Sequence, residues 1–357
     1  MASRPPLPAG GTPATLTPRI MGLGHPLLDI MSHVQQDYLE RFNIPLGSCN
    51  LAAPEQLPIF EELSQRRDVE FVPGGAAMNT IRVIQWMGRG SVPTTFVGSL
   101  GDDEFGGILE RTLTKAGVAP VFEYHEDKPT GTCACLIVDA ERSLLANLGA
   151  AVDLSMSHVG SKAVAEEIER STLFYCEGFY LNTVSSPQNA ILVGQHCIDF
   201  DKCFTFNLSA PYLCHIFKDR WTEIMPFIDI LFGSRIDAEA FCEANGWDMK
   251  DIKEIMRRIA DLPKRNAGRP RIVVITGGSS ETYVATRESV TSYTPMSVPP
   301  EEIVDTNGAG DSFVGGFLTL YAKGGYSLEQ CVHAGHAAAA QVIRQNGCTF
   351  PDEPPKL

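Results

Sequence analysis

Asp305-Thr306-Asn307-Gly308-Ala309-Gly310-Asp311 runs directly into Ser312-Phe313-Val314-Gly315-Gly316-Phe317-Leu318. Phe313, Val314, Phe317, Leu318 and Tyr321 recur at helical spacing, so a helix is expected to start near Asp311. Gly308 and Gly310 stand just before it and let the backbone turn its N–H groups to one side. A helix N-terminus, with free N–H groups and the positive end of its dipole, is an anion site. Asp311 places a carboxylate beside it. Phosphoryl transfer to an alcohol needs this pairing: a base for the hydroxyl proton and fixed donors for the charged group. A plain helix cap with an acidic first turn would use the same residues, and Gly-Ala-Gly-Asp alone does not separate the two.

A chain of 357 residues holds one large domain with an appendage, or two domains. Its 44% hydrophobic and 20% charged residues are those of a soluble globular protein. Lys plus Arg total 29 against 43 Asp plus Glu, and there is no dense basic run, which argues against nucleic acid or an anionic membrane as partner. No apolar stretch reaches the ~18 residues of a membrane span. Residues 1–18, rich in Pro, Thr and Ala without an apolar signal core, read as a disordered tail. Ten cysteines are scattered without a C-x-x-C pair. Cys133 and Cys135 are too isolated to suggest zinc, and His25, His333 and His336 lack metal spacing. Buried free thiols in a reducing, cytoplasmic compartment are the expectation. The terminal Pro355-Lys356-Leu357 is similar to a Ser-Lys-Leu address, which leaves a peroxisome-type organelle as the alternative.

Ile20-Met21-Gly22-Leu23 reads as a first, buried strand. Gly74-Gly75 opens a helix carrying Ile81, Ile84, Trp86 and Met87, ended by Gly88. Strand-like runs follow at Thr95–Gly98, Leu173–Cys176, Cys203–Asn207, Ile228–Phe232 and Ile272–Ile275, separated by helical patterns. Buried, branched strands alternating with helices imply an α/β fold, a mainly parallel sheet with helices on both faces. Segments at about 29–68 and 121–148 read as a small β-rich lid on a domain spanning 19–357. Ser327 with Gln330 makes a capping box for the last helix, and Gly347 its stop.

The G-x-x-x-x-G-K-[ST] pattern is absent, which argues against a P-loop NTPase. Gly22-Leu23-Gly24 lacks the third small residue of a dinucleotide fingerprint, because Leu27 stands there and Pro26 opposes the helix. Asp29 lies just past the first strand, where a carboxylate can take two hydrogen bonds from a vicinal diol or can simply be a solvated turn residue. Gly74-Gly75 with Asn79 one turn on is a second helix start, serving either a sugar or only a turn. Arg142, in the lid, can meet phosphate on closure or remain a solvated surface cation.

Together these blocks resemble the ribokinase-like carbohydrate kinase family, from about Arg19 to Glu353. The 305–311 run is similar to the wider family. Asn207-Leu208-Ser209-Ala210-Pro211 and Gly347-Cys348-Thr349-Phe350-Pro351 resemble its adenosine-phosphorylating branch. The resemblance implies ATP-dependent phosphorylation of the adenosine 5′-hydroxyl to AMP, a purine-salvage step, with Mg2+ arriving on ATP and a monomeric enzyme. It implies Asp311 as the catalytic base and the amides of Asn307, Gly308, Ala309 and Gly310 as an anion hole. His25, Asp29, Gly74, Gly75, Asn79 and Arg142 would serve the substrate's sugar and phosphate side, with Leu27, Cys133, Leu148 and Tyr180 as walls around the base. Asn207, Ser234, Thr276, Gly278 and His336 would serve ATP. His25 stands where the family usually has Asn, and Ser234-Arg235-Ile236-Asp237 replaces its Asn-x-x-Glu, which gives Asp237 an indirect part at the metal. The alternatives are a family kinase for another nucleoside or sugar, or a catalytically weak nucleoside-binding relative.

Overall fold

The computed structural model describes residues 17–356 apart from Ala140. The first strands are β1 (Ile20–Leu23), β2 (Leu27–His33), β3 (Cys49–Leu51), β4 (Glu70–Gly74), β5 (Thr94–Gly101), β6 (Ala119–His125), β7 (Thr132–Val138) and β8 (Glu141–Asn147). They are followed by β9 (Leu173–Glu177), β10 (Cys203–Asn207), β11 (Ile230–Ser234), β12 (Ile272–Gly277), β13 (Ser280–Ala285) and β14 (Val290–Tyr293). Among the described residues, nine strands form one sheet in the order β14-β13-β12-β11-β10-β9-β1-β5-β6, parallel from β12 to β6. β13 and β14 add an antiparallel edge that the sequence reading missed.

Every residue of β1, β5 and β9 is buried, as a strand covered on both faces requires. Alternation divides the core between the two faces. Phe174, Phe204, Phe206 and Leu231 pack with Trp221 on one side. Tyr175, Phe96, Ile230 and Phe232 pack on the other against Met78 and Ile81 of the Ala76–Gly88 helix and Phe313 and Phe317 of the Ala309–Lys323 helix. The central strand β1 has β5 on one side and β9 on the other, and the chain winds outward in both directions from it. The crevice at the carboxyl ends of β1 and β9 is where such a sheet takes ligands.

The smaller sheet runs β3-β8-β7-β2-β4. Ile30, Ala134, Leu136 and Leu145 on one face are covered by Leu39, Ile59, Phe60 and Leu63 from two short helices, Gln36–Arg41 and Pro58–Ser64. Asp29, Met31, Cys133 and Cys135 alternate onto the other face. β6 pairs with β5 in the large sheet, so the second segment of the small sheet starts at Thr132 rather than 121. β4 extends the first segment past residue 68. No helix among the described residues is long and apolar enough to cross a membrane. The nine cysteines described are free and buried. Most of the tail read at residues 1–18, and Leu357 of the terminal tripeptide, lie outside the described residues.

Candidate active site

Two helix starts meet at the crevice. Gly308, at φ +75°, caps the Ala309–Lys323 helix in a left-handed conformation that side chains rarely adopt. Gly75, at φ +93°, precedes the Ala76–Gly88 helix. Across the gap, Asn79 Nδ2 donates to Asp311 Oδ2 at 3.0 Å, and Thr80 Oγ1 donates to the Asp311 carbonyl at 3.2 Å. Buried Arg82 favours the same orientation of the Asn79 amide: its Nη1 donates to the carbonyls of Pro73 and Cys348, each at 3.1 Å, and more weakly to Asn79 Oδ1 at 3.4 Å. Asn79 therefore presents nitrogen, not oxygen, to the carboxylate. Burial raises the Asp311 pKa to about 6, and the bond from Asn79 acts against that rise.

The loop before this helix is organised by Asp305. Its Oδ1 accepts from the Asn307 amide at 3.0 Å, and its Oδ2 accepts from the Gly347 amide at 2.8 Å. Arg142 of β8 closes an ion pair with the same Oδ2, Nη1 to oxygen 2.6 Å, with both side chains largely buried. The Ala309 amide donates to the Thr306 carbonyl at 3.3 Å. Of the four amides assigned to an anion hole, those of Asn307 and Ala309 thus already have acceptors. Gly308 and Gly310, whose amides have no recorded acceptor among the described residues, line a cavity of about 320 Å³ together with Asp311.

Asn207, Ser234 and Thr276, at the carboxyl ends of β10, β11 and β12, line the same cavity, with Phe179, Ser209 and Asp237. Ser234 and Asp237 form a reciprocal capping box: Asp237 Oδ2 accepts from the Ser234 amide at 2.8 Å and its hydroxyl at 2.6 Å. One carboxylate oxygen of the expected metal-side residue is therefore engaged in a helix cap. Two expected ATP contacts, Gly278 and His336, are not among the residues that line this cavity. Gly278, at φ +65°, makes the turn between β12 and β13. His336 is buried, with Nε2 2.9 Å from Thr282 Oγ1 and its ring 5.4 Å from that of Phe313; burial lowers its pKa to about 4. It packs a helix onto the sheet as a neutral ring.

Beneath the small sheet, Asp29 lies against Gly74, where any Cβ would collide with its carboxylate. Burial raises the Asp29 pKa to about 7, opposed by the charges of Arg142 and Arg82 and reinforced by Asp311 and Asp305. Cys133 is its register partner on β7. Leu27 and Leu148 converge at Gly131, where a Cβ would be 2.6 Å from Leu27 Cδ2 and 2.8 Å from the Leu148 carbonyl. His25 is buried with Nε2 2.9 Å from Thr183 Oγ1, and burial lowers its pKa to about 4. Tyr180, expected in the wall, is fully buried, packed in the core with its ring 6.3 Å from that of His25. Its neighbour Phe179 faces the cavity instead.

Glu177 escaped the sequence reading. It ends β9, is 1% exposed, and accepts on Oε2 from Ser209 Oγ at 3.1 Å and the Phe179 amide at 3.2 Å. Burial, reinforced by the Asp311 charge, raises its pKa to about 8. The signal was present, since a carboxylate at the carboxyl end of a buried strand is the same cue that singled out Asp29. Asp305 stood in the opening run, but its three contacts are all long-range or backbone and leave no local pattern. The arrangement can draw a proton from an alcohol at Asp311 while the neighbouring amides receive an anion.

A pfkB family carbohydrate kinase model matches residues 42–355. Adenosine kinase 1 of Arabidopsis thaliana is 39% identical over 337 residues, 94% of this chain and 96% of that protein. The adenosine kinase of Dictyostelium discoideum is 37% identical over 339 residues, 95% of this chain and 98% of that protein. The crystal structure of Anopheles gambiae adenosine kinase in complex with P1,P4-di(adenosine-5) tetraphosphate superposes with a TM-score of 0.86 at 36% identity, covering 94% of this chain and 98% of that one. With nearly the whole chain matched at this level, and the paired helix starts in place, the chain belongs to the pfkB family of carbohydrate kinases and, within it, to the adenosine kinases.

Proposed function

We infer that the chain transfers the terminal phosphoryl group of ATP to the 5′-hydroxyl of adenosine, giving AMP and ADP. The observation that carries this reading is the Asp311 carboxylate, held by Asn79 at the mouth of a loop whose Gly308 and Gly310 amides line the cavity. Asp311 takes the proton of the 5′-hydroxyl as that oxygen attacks. Gly308 and Gly310 receive the oxygens of the transferring group through fixed N–H donors that need no reorganisation. The two oxygens of Asp29 accept from the ribose diol, while Leu27, Leu148 and Cys133 wall the base. ATP occupies the cavity lined by Asn207, Ser234 and Thr276. Magnesium, bound to ATP through phosphate oxygens and water, neutralises phosphate charge. Asp237, with one oxygen outside its capping bonds, would help hold the metal-phosphate end of ATP.

The small sheet covers the nucleoside and keeps water from competing for the phosphoryl group. The reading takes the enzyme as a monomer, which sedimentation velocity checks. The central test measures ADP production from ATP across a panel of nucleosides and pentoses, with and without magnesium. Magnesium-dependent turnover with adenosine well above inosine, guanosine and ribose is expected. Turnover with a pentose but not adenosine would overturn the assignment.

A further inference from the structure

We propose that Asp29, Cys133 and Cys135 form a binding site for a thiophilic divalent cation, with zinc as the probe, and that its occupation excludes the nucleoside. In sequence Cys133 and Cys135 have no third partner at ligand spacing. The fold supplies one. β2 and β7 run parallel with Asp29 opposite Cys133 and Met31 opposite Cys135. Alternate residues on a strand share a face, so the carboxylate and both thiols project to the same side of the small sheet. Their ligand atoms all lie within 4.8 Å of one another. Tetrahedral zinc with Zn–S bonds of ~2.3 Å sets its ligands ~3.8 Å apart, so side-chain adjustment of about 1 Å closes the set.

The donor set selects the metal class. Two thiolates and one carboxylate suit zinc and similar soft or borderline cations, whereas magnesium takes oxygen and keeps its water. Both thiols are free and buried, and they cluster with Met31 and Val72, apart from the apolar layer on the opposite face. Three protein ligands leave a fourth position open, the arrangement of a zinc site that still accepts a small molecule. Binding forms two metal–sulfur bonds and breaks two S–H bonds. Both protons leave to solvent, and nothing is oxidised or reduced. An Asp29 oxygen bound to the cation cannot also accept from the ribose hydroxyls, so cation and nucleoside compete; this part rests on Asp29 as the ribose ligand.

The test uses the full chain, reduced and freed of metal by chelation. Anaerobic titration with cobalt(II) should produce a thiolate-to-cobalt charge-transfer band that zinc then bleaches. Cys135→Ser, whose hydroxyl fits the same space, should abolish the band and weaken zinc binding by more than about tenfold. That variant should keep the adenosine turnover and KM of the parent when zinc is absent. With free zinc buffered against ATP, the apparent KM for adenosine should rise with zinc while kcat holds, and Cys135→Ser should lose that rise. Absence of the cobalt band overturns the site and leaves the kinase reading untouched. A band that adenosine does not diminish overturns the competition, and with it the ribose role of Asp29. Zinc inhibition equal in parent and Cys135→Ser places the metal elsewhere and overturns the proposal.

Discussion

Arg142 of the small sheet and Asp305 of the large domain are joined by an ion pair, Nη1 to Oδ2 2.6 Å, directly before the glycine loop that faces the cavity. The carboxylate also takes the Asn307 and Gly347 amides, so it braces the loop, the C-terminal segment and the covering sheet at once. Asp305→Ala should therefore cost more stability than Arg142→Ala, because it orphans two amides and a cation rather than one carboxylate. The expected losses are about 3 kcal/mol or more against roughly 1–2 kcal/mol. Denaturant unfolding of both single variants and the double variant checks the ranking and isolates the pair's own coupling.

Asp311→Asn removes the base and keeps the shape. A fall in kcat of ~10² to 10⁴ is expected, with adenosine affinity close to the parent's. Steady-state kinetics with a separate binding titration distinguish lost chemistry from lost binding. Turnover equal to the parent's would remove the role assigned to Asp311.

The pH dependence follows from the base being active as carboxylate. With the Asp311 pKa raised to about 6 in the ligand-free protein, kcat/KM should rise with pH through that region. Asn79 stabilises the ionised form, so Asn79→Ala should move this acidic limb to higher pH. A limb that stays in place while kcat falls would mean that Asn79 acts on substrate and not through Asp311.

Glu177 makes the folded protein sensitive to alkaline conditions. Its folded pKa, about 8, lies above the ordinary carboxyl value of 4.5, so between these pH values the folded state binds the extra proton. Stability from this group is complete below 4.5 and falls as pH rises through 8. Glu177→Gln retains an oxygen for Ser209 and the Phe179 amide but cannot ionise. Its melting temperature should match the parent's near pH 5 and exceed it near pH 9. Parallel melting curves across that range would show that the carboxyl stays ionised throughout.

What the sequence disclosed was local. The helix expected near Asp311 begins two residues earlier at Ala309, the helix after Gly74-Gly75 spans Ala76–Gly88, and Ser327 with Gln330 forms the capping box of the last helix, Leu328–Val342. Each depends on periodicity and capping within a few residues. Pairing depends on the rest of the chain. A β-like run at Val121 does not say which sheet it joins, and β6 went to the large one. Ser280–Ala285, next to the edge strand β14, begins exposed and is only partly buried, so it carried no continuous buried run to mark it. Tyr180 and His336 are both buried, and an aromatic near a motif reads the same in sequence whether it faces a cavity or the core. The juxtaposition of Asp29 with two thiols is a matter of strand register, which no local pattern records.

The hydrogen bond from Arg82 to the Cys348 carbonyl ties the surroundings of Asp311 to a remote part of the chain. That guanidinium supports the Asn79 amide in the orientation that gives its nitrogen to Asp311, and a carbonyl from the final segment helps hold it there. Clipping the polypeptide after Gly347, or fusing a bulky partner that pulls this segment loose, would take away one of the carbonyls that seat the guanidinium beside the Asn79 amide. A change made dozens of residues downstream would then be felt at the Asn79–Asp311 contact.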